Sequence, residues 1–176
     1  MPSFIRLSII GALVMAVVST AADWVWSLGI PTHTPWWGAG HGAVLFMCLG
    51  GYLGSIEGKL GQGLLGGLAS GIVAGLSFYP LAPFLGYRAM FVSWILLWIL
   101  LTVLYARLSG STASPVTVLV RGLLAAVISG IGFVAVFDLY RNWNPSQFSA
   151  LVHLPRWFIA YVPGFLALLW NRPARR

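Results

Sequence analysis

The stretch AMFVSWILLWILLTVLYA, residues 89–106, runs without a charge between Arg88 and Arg107. A helix of that length spans most of the roughly 30 Å hydrocarbon core of a bilayer. Bilayer interiors offer no water to backbone N–H and C=O groups, so an apolar run there must satisfy them internally, as a helix does. Working outward, apolar runs of similar kind recur on both sides. The expected spans are about 4–26, 37–56, 62–79, 87–107, 116–140 and 154–170, in a single transmembrane domain covering 1–176. The fold class is therefore all-α, a polytopic membrane protein built as a six-helix bundle.

Composition supports this reading. Of 176 residues, 59% are hydrophobic and 7% charged, against about 25% charged in a soluble domain. Too few polar residues exist to cover a soluble surface. The net charge of +7 comes from basic residues scattered singly between apolar runs. They read as topology signals and not as a nucleic-acid footprint. Cys48 is the sole cysteine and sits in an apolar stretch, so it reads as a small buried hydrophobe. Arg6 before an apolar run and Ser19-Thr20-Ala21 look like a secretion signal. The run is long for a signal's apolar core, so an uncleaved helix is expected.

Orientation follows from the basic residues. With the N-terminus inside, the inner flanks carry Arg6, Lys59, Arg107, Arg121, Arg172, Arg175 and Arg176, and the outer flanks carry Arg88, Arg141 and Arg156. The positive-inside rule then places both termini in the cytoplasm, and the expected location is a bacterial inner membrane. Pro80 and Pro83 are expected to stop helix 3. That leaves helices 3 and 6 short for the membrane, with helix 3 either spanning it or re-entrant.

Gly63, Gly67, Gly71 and Gly75 recur every four residues and share one face of helix 3. Helix 2 carries Gly38, Gly42, Gly50 and Gly54, and helix 5 carries Gly122, Ala126 and Gly130. Small-residue faces allow close helix packing. The alternative is a flat face for a ligand or a second subunit. Trp94 and Trp98, at i and i+4 on helix 4, share a face and are candidates to line a cavity with those glycines.

The unusual polar residues gather on the outer side: Asp23, His33, His41, Arg88, Asp138, Arg141, His153 and Arg156. Ionisable residues in a membrane protein are costly and mark candidate sites. Near helix ends they also serve as simple ion pairs, Asp138 with Arg141 and Asp23 with Arg88 or Arg156. His33, His41 and His153, with Asp23 and Asp138, have ligand chemistry suited to zinc, copper or iron, although their spacing matches no established ligand pattern. No nucleophile motif, phosphate loop or His-Glu-x-x-His pattern is present. Trp24, Trp26, Trp36, Trp37, Trp143 and Trp157 map to the outer boundary and Trp170 to the inner one, as an aromatic belt would.

Several stretches resemble the insulin-induced-gene (Insig) family, including its bacterial members. They are Pro35-Trp36-Trp37-Gly38, leading into Gly50-Gly51-Tyr52-Leu53-Gly54, and the Trp-rich run from Trp94 that ends in Arg107-Leu108-Ser109-Gly110. The resemblance implies a small six-helix protein with cytoplasmic termini. Eukaryotic members bind oxysterols and retain sterol-regulatory partners, and bacterial relatives are similar lipid-binding bundles. The family's Trp-Trp is followed by Val-Pro-Pro, which is absent here, and its acidic residue after helix 4 has no counterpart. No individual functional residue is carried over.

The expected function is thus a non-enzymatic bundle that binds an apolar lipid, an isoprenoid-like ligand or a membrane-protein partner, with self-association as one form of partnership and no cofactor. The alternatives are a metal- or haem-dependent protein with an outer site, and a small transporter or channel subunit. Between the helix ends only small polar groups occur, such as Ser70, Ser77, Ser93, Thr102 and Ser129. This argues against a charged substrate crossing the midplane.

Overall fold

The computed structural model describes residues 3–28, 35–140 and 149–170, with the side chains at 26, 27, 37, 87 and 133–140 outside that description. Among the described residues there are six α-helices: α1 (Ser3–Ser27), α2 (Pro35–Ile56), α3 (Leu60–Leu85), α4 (Ala89–Ser109), α5 (Pro115–Tyr140) and α6 (Ala150–Leu169). A 3-10 turn, Gly86–Arg88, joins α3 to α4. All six helices are long and apolar enough to cross a bilayer. The protein is an all-helical, multi-pass membrane bundle.

Consecutive helices pack as neighbours, and α6 packs back on α1, so the six close into a ring. The contact between α1 and α2 is the lightest in the ring, while α4 leans inward to touch both α2 and α6. Phe4 and Trp170 lie with ring centroids 5.7 Å apart, which brings the start of α1 and the end of α6 to one end of the bundle. Glu57 lies at this end too. Asp23, Arg88 and His153 lie at the opposite end, because successive helices alternate in direction.

Helix 3 differs from expectation. It continues through Pro80 and Pro83 to Leu85. Each proline removes one backbone hydrogen bond, but outside the helix the lipid-facing chain would find no other partner, so the helix persists. Its 26 residues rise about 39 Å, so α3 is not short and is long enough to cross a bilayer. It ends instead at Gly86, whose φ of 55° and ψ of −139° suit glycine far better than any residue with a Cβ.

The interior is filled. Leu49, Leu53, Leu97, Trp98, Leu101, Tyr161, Phe165 and Leu168 are all fully or almost fully buried and form one contiguous core with Met15 and Ala12. In lipid, burial of apolar area does not itself drive helices together, so close packing must hold the bundle.

The tightest seam joins α2 and α3. A Cβ built at Gly50 would sit 2.3 Å from the Gly63 carbonyl oxygen, one at Gly67 2.0 Å from that of Phe46, and one at Gly71 2.2 Å from that of Gly42. A Cβ built at Gly75 would lie 2.8 Å from the Gly38 carbonyl oxygen. Backbone therefore lies against backbone along the whole seam. This corrects the expectation that Gly63, Gly67, Gly71 and Gly75 line a ligand pocket. The matching glycines of α2 occupy the space a ligand would need.

Candidate functional site

The polar centre of the bundle lies where the end of α1 meets the start of α6. His153 Nδ1 donates to Asp23 Oδ2 at 2.7 Å, and Trp157 Nε1 donates to the same oxygen at 2.6 Å. A carboxylate only accepts hydrogen bonds, so Nδ1 is the donor of this pair. The two side chains are about a quarter exposed, at 25% for Asp23 and 26% for His153. One turn deeper, Ser19 and Tyr161 share a hydrogen bond of 3.0 Å between their hydroxyls. Ser19 and Asp23 are four apart, as are His153, Trp157, Tyr161 and Phe165. Each set therefore stacks along one helix face.

That spacing also builds an aromatic column. Trp157 stacks on Tyr161 at 5.8 Å, and Tyr161 lies 6.5 Å from Phe165. Helix α4 supplies a second row. Trp94 contacts Trp157 at 6.3 Å and Tyr161 at 5.6 Å, and Trp98 meets Phe165 edge-on at 6.1 Å. Gly164 makes room for Trp98, since a Cβ there would lie 2.2 Å from the indole. Trp98 is therefore wholly a core residue, and its Nε1 has no hydrogen-bond partner among the described residues. This corrects its expected role in a pocket wall.

Trp94 does line a cavity. A groove of about 420 Å³ lies between α4 and α5, bounded by Phe91, Trp94, Ile95, Ala126, Val127, Gly130 and Ile131. Its origin is a change of neighbour along α5. Near Gly122, α5 is close to α4, with a built Cβ 2.9 Å from Ile99 Cα. Further on, the Ser129 hydroxyl donates to the Ala160 carbonyl of α6, and a Cβ built at Gly132 would lie 3.2 Å from the Ile159 carbonyl oxygen. Helix α5 thus leaves α4 for α6. A Cβ at Gly130 would meet only Trp94, at 4.0 Å.

The remaining expected site residues are dispersed. Asp23 pairs with His153, not with Arg88 or Arg156, because α6 lies directly against α1. His41 lies within electrostatic reach of Asp23. Arg156 immediately precedes Trp157 on α6. Arg88 closes the 3-10 turn, is exposed, and makes no hydrogen bond or ion pair among the described residues. His33 and Arg141 lie outside the described residues. Asp138 lies in α5, with its side chain outside that description. Among the described residues no three His, Cys, Asp or Glu side chains converge as metal ligands would. Among the described residues the Asp23–His153 pair has no third ligand beside it.

Two features escape sequence reading. Trp157 is a hydrogen-bond donor to Asp23, not only a belt residue, and the repeat of His153, Trp157 and Tyr161 at intervals of four was the signal. At the other end, buried Glu57 accepts a hydrogen bond from Tyr105 at 3.2 Å, while Lys59 Nζ donates to the Leu108 carbonyl at 2.6 Å. These contacts tie the α2–α3 turn to the end of α4. The cation there satisfies a helix-terminal carbonyl. No family model, curated protein or solved structure matches the chain.

Proposed function

We propose that this protein is a non-enzymatic integral membrane protein that holds an apolar lipid chain in the groove between α4 and α5. The observation that supports this is the groove itself. Its volume falls within the roughly 300–1,000 Å³ typical of small-molecule sites, its walls are aliphatic and aromatic, and it opens sideways beside the exposed residues Ile95, Val127 and Ile131. A bilayer supplies chains to such an opening directly. The core beside it is packed with Trp98, Leu49, Leu53 and Leu101.

Native mass spectrometry after gentle extraction tests this reading. Lipid adducts that survive on the wild type and disappear in Val127→Trp, which fills the groove from its exposed side, are the expected result. Bare wild-type protein across several detergents would sink it. The charge count further supports cytoplasmic termini in a bacterial inner membrane. Ser111→Cys in a Cys48→Ala background should then be labelled only from the cytoplasmic side. A second reading, a metal site at the Asp23 end, draws on the Asp23–His153 pair. Elemental analysis of purified protein separates it from the first.

A further inference from the structure

We infer that the occupant of the α4–α5 groove is an anionic phospholipid of the surrounding bilayer, with Arg88 holding its phosphate-bearing headgroup. The inference rests on the groove reading above and adds the headgroup chemistry. The groove widens towards the Asp23 end, because α5 contacts α4 at Gly122 and has moved to α6 by Ser129 and Gly132. A chain seated along it leaves past Phe91. Arg88 stands three residues before Phe91, about one helical turn nearer the membrane surface. Its backbone is already helical, with φ −65° and ψ −18°, so the i, i+3 relation holds and places Arg88 above the groove's α4 wall.

The charges at this end are unequally committed. Asp23 is engaged by His153 and Trp157. Arg88 is exposed and makes no ion pair among the described residues. Long basic side chains at helix ends lie along apolar surface and carry their charge to headgroup level. A guanidinium offers a planar fork of donors that matches phosphate oxygens. A phosphatidylcholine phosphate carries a compensating ammonium, whereas an anionic headgroup leaves its charge for Arg88. Charge complementarity thus selects the anionic lipid.

The full-length protein is exchanged into nanodiscs with equal amounts of phosphatidylglycerol and phosphatidylcholine of identical chains, and retained lipid is counted by native mass spectrometry. Wild type should favour phosphatidylglycerol several-fold. Arg88→Gln should bring the ratio close to one with total lipid unchanged, and Arg88→Lys should keep most of the preference. Val127→Trp should reduce both lipids. Loss of lipid in Val127→Trp with an unaltered preference in Arg88→Gln overturns the headgroup assignment alone, as does equal retention of both lipids by wild type. Unaltered lipid in a folded Val127→Trp variant overturns the groove reading itself.

Discussion

Helices α2 and α3, and helices α4 and α5, are both neighbouring pairs containing glycine, yet they meet in opposite ways. Along α2–α3 the glycines of one helix face glycines or carbonyls of the other, and the backbones touch. Along α4–α5 small residues stand on one side only. Gly130 and Ala126 face Phe91, Trp94 and Ile95, and a groove remains. A small residue is therefore a permission and not an instruction. What fills the space depends on whether the opposing helix is small as well, and on where that helix is pulled by its other neighbours.

Gly67→Leu should be the most damaging substitution on the α2–α3 seam. Its first added carbon alone would lie 2.0 Å from the Phe46 carbonyl, and backbone cannot turn aside as a side chain can. No monodisperse folded protein should be recovered on size-exclusion chromatography. Trp98→Ala comes next. Emptying a fully buried indole site should cost about 3–5 kcal/mol in reversible unfolding, whereas Trp98→Phe should cost far less, because the lost N–H has no partner among the described residues. Asp23→Asn should cost about 1–2 kcal/mol, at the low end for hydrogen bonds to a charged group because the pair is partly exposed. In a double-mutant cycle with His153→Ala the two losses should not add. The smallest effect sharpens the contrast best. Gly130→Ala has room for its methyl and removes a flexible residue from a helix, so it should stabilise by roughly 0.5–1 kcal/mol. Gly67→Ala should destabilise. One chemical change with opposite signs on the two seams is the result expected from thermal melts in detergent.

The sequence shows much of this architecture plainly. Hydropathy alone locates the six helices, because a bilayer permits few alternatives to the helix. The gathering of Asp23, His41, Arg88 and His153 at one end follows from counting crossings. Helix 3 misleads because proline rules are calibrated in water, where a broken helix finds other partners. The glycine stripe at 63, 67, 71 and 75 could be read as a pocket only while the stripe on α2 was considered separately. Set side by side, they predict a sealed seam. The partner of Asp23 was hidden for another reason. Charge suggests arginine, but ring closure brings α6 against α1, and that tertiary choice leaves no local mark. The groove is likewise invisible in sequence, since it arises from the path of α5 between two neighbours.

The distance along the chain between Asp23 and His153, 130 residues, has a consequence in time. Helices α2 and α3 are joined by the short turn at Glu57, Gly58 and Lys59, so their seam can form while the ribosome is still making α4. Local pairings precede remote ones for the same reason that short loops close cheaply. Asp23 reaches the membrane with the first helix and waits through the synthesis of four more for its imidazole and indole. The polar centre thus cannot form before α6 has been made. A chain stalled before α6 keeps the Asp23 carboxylate without these two donors.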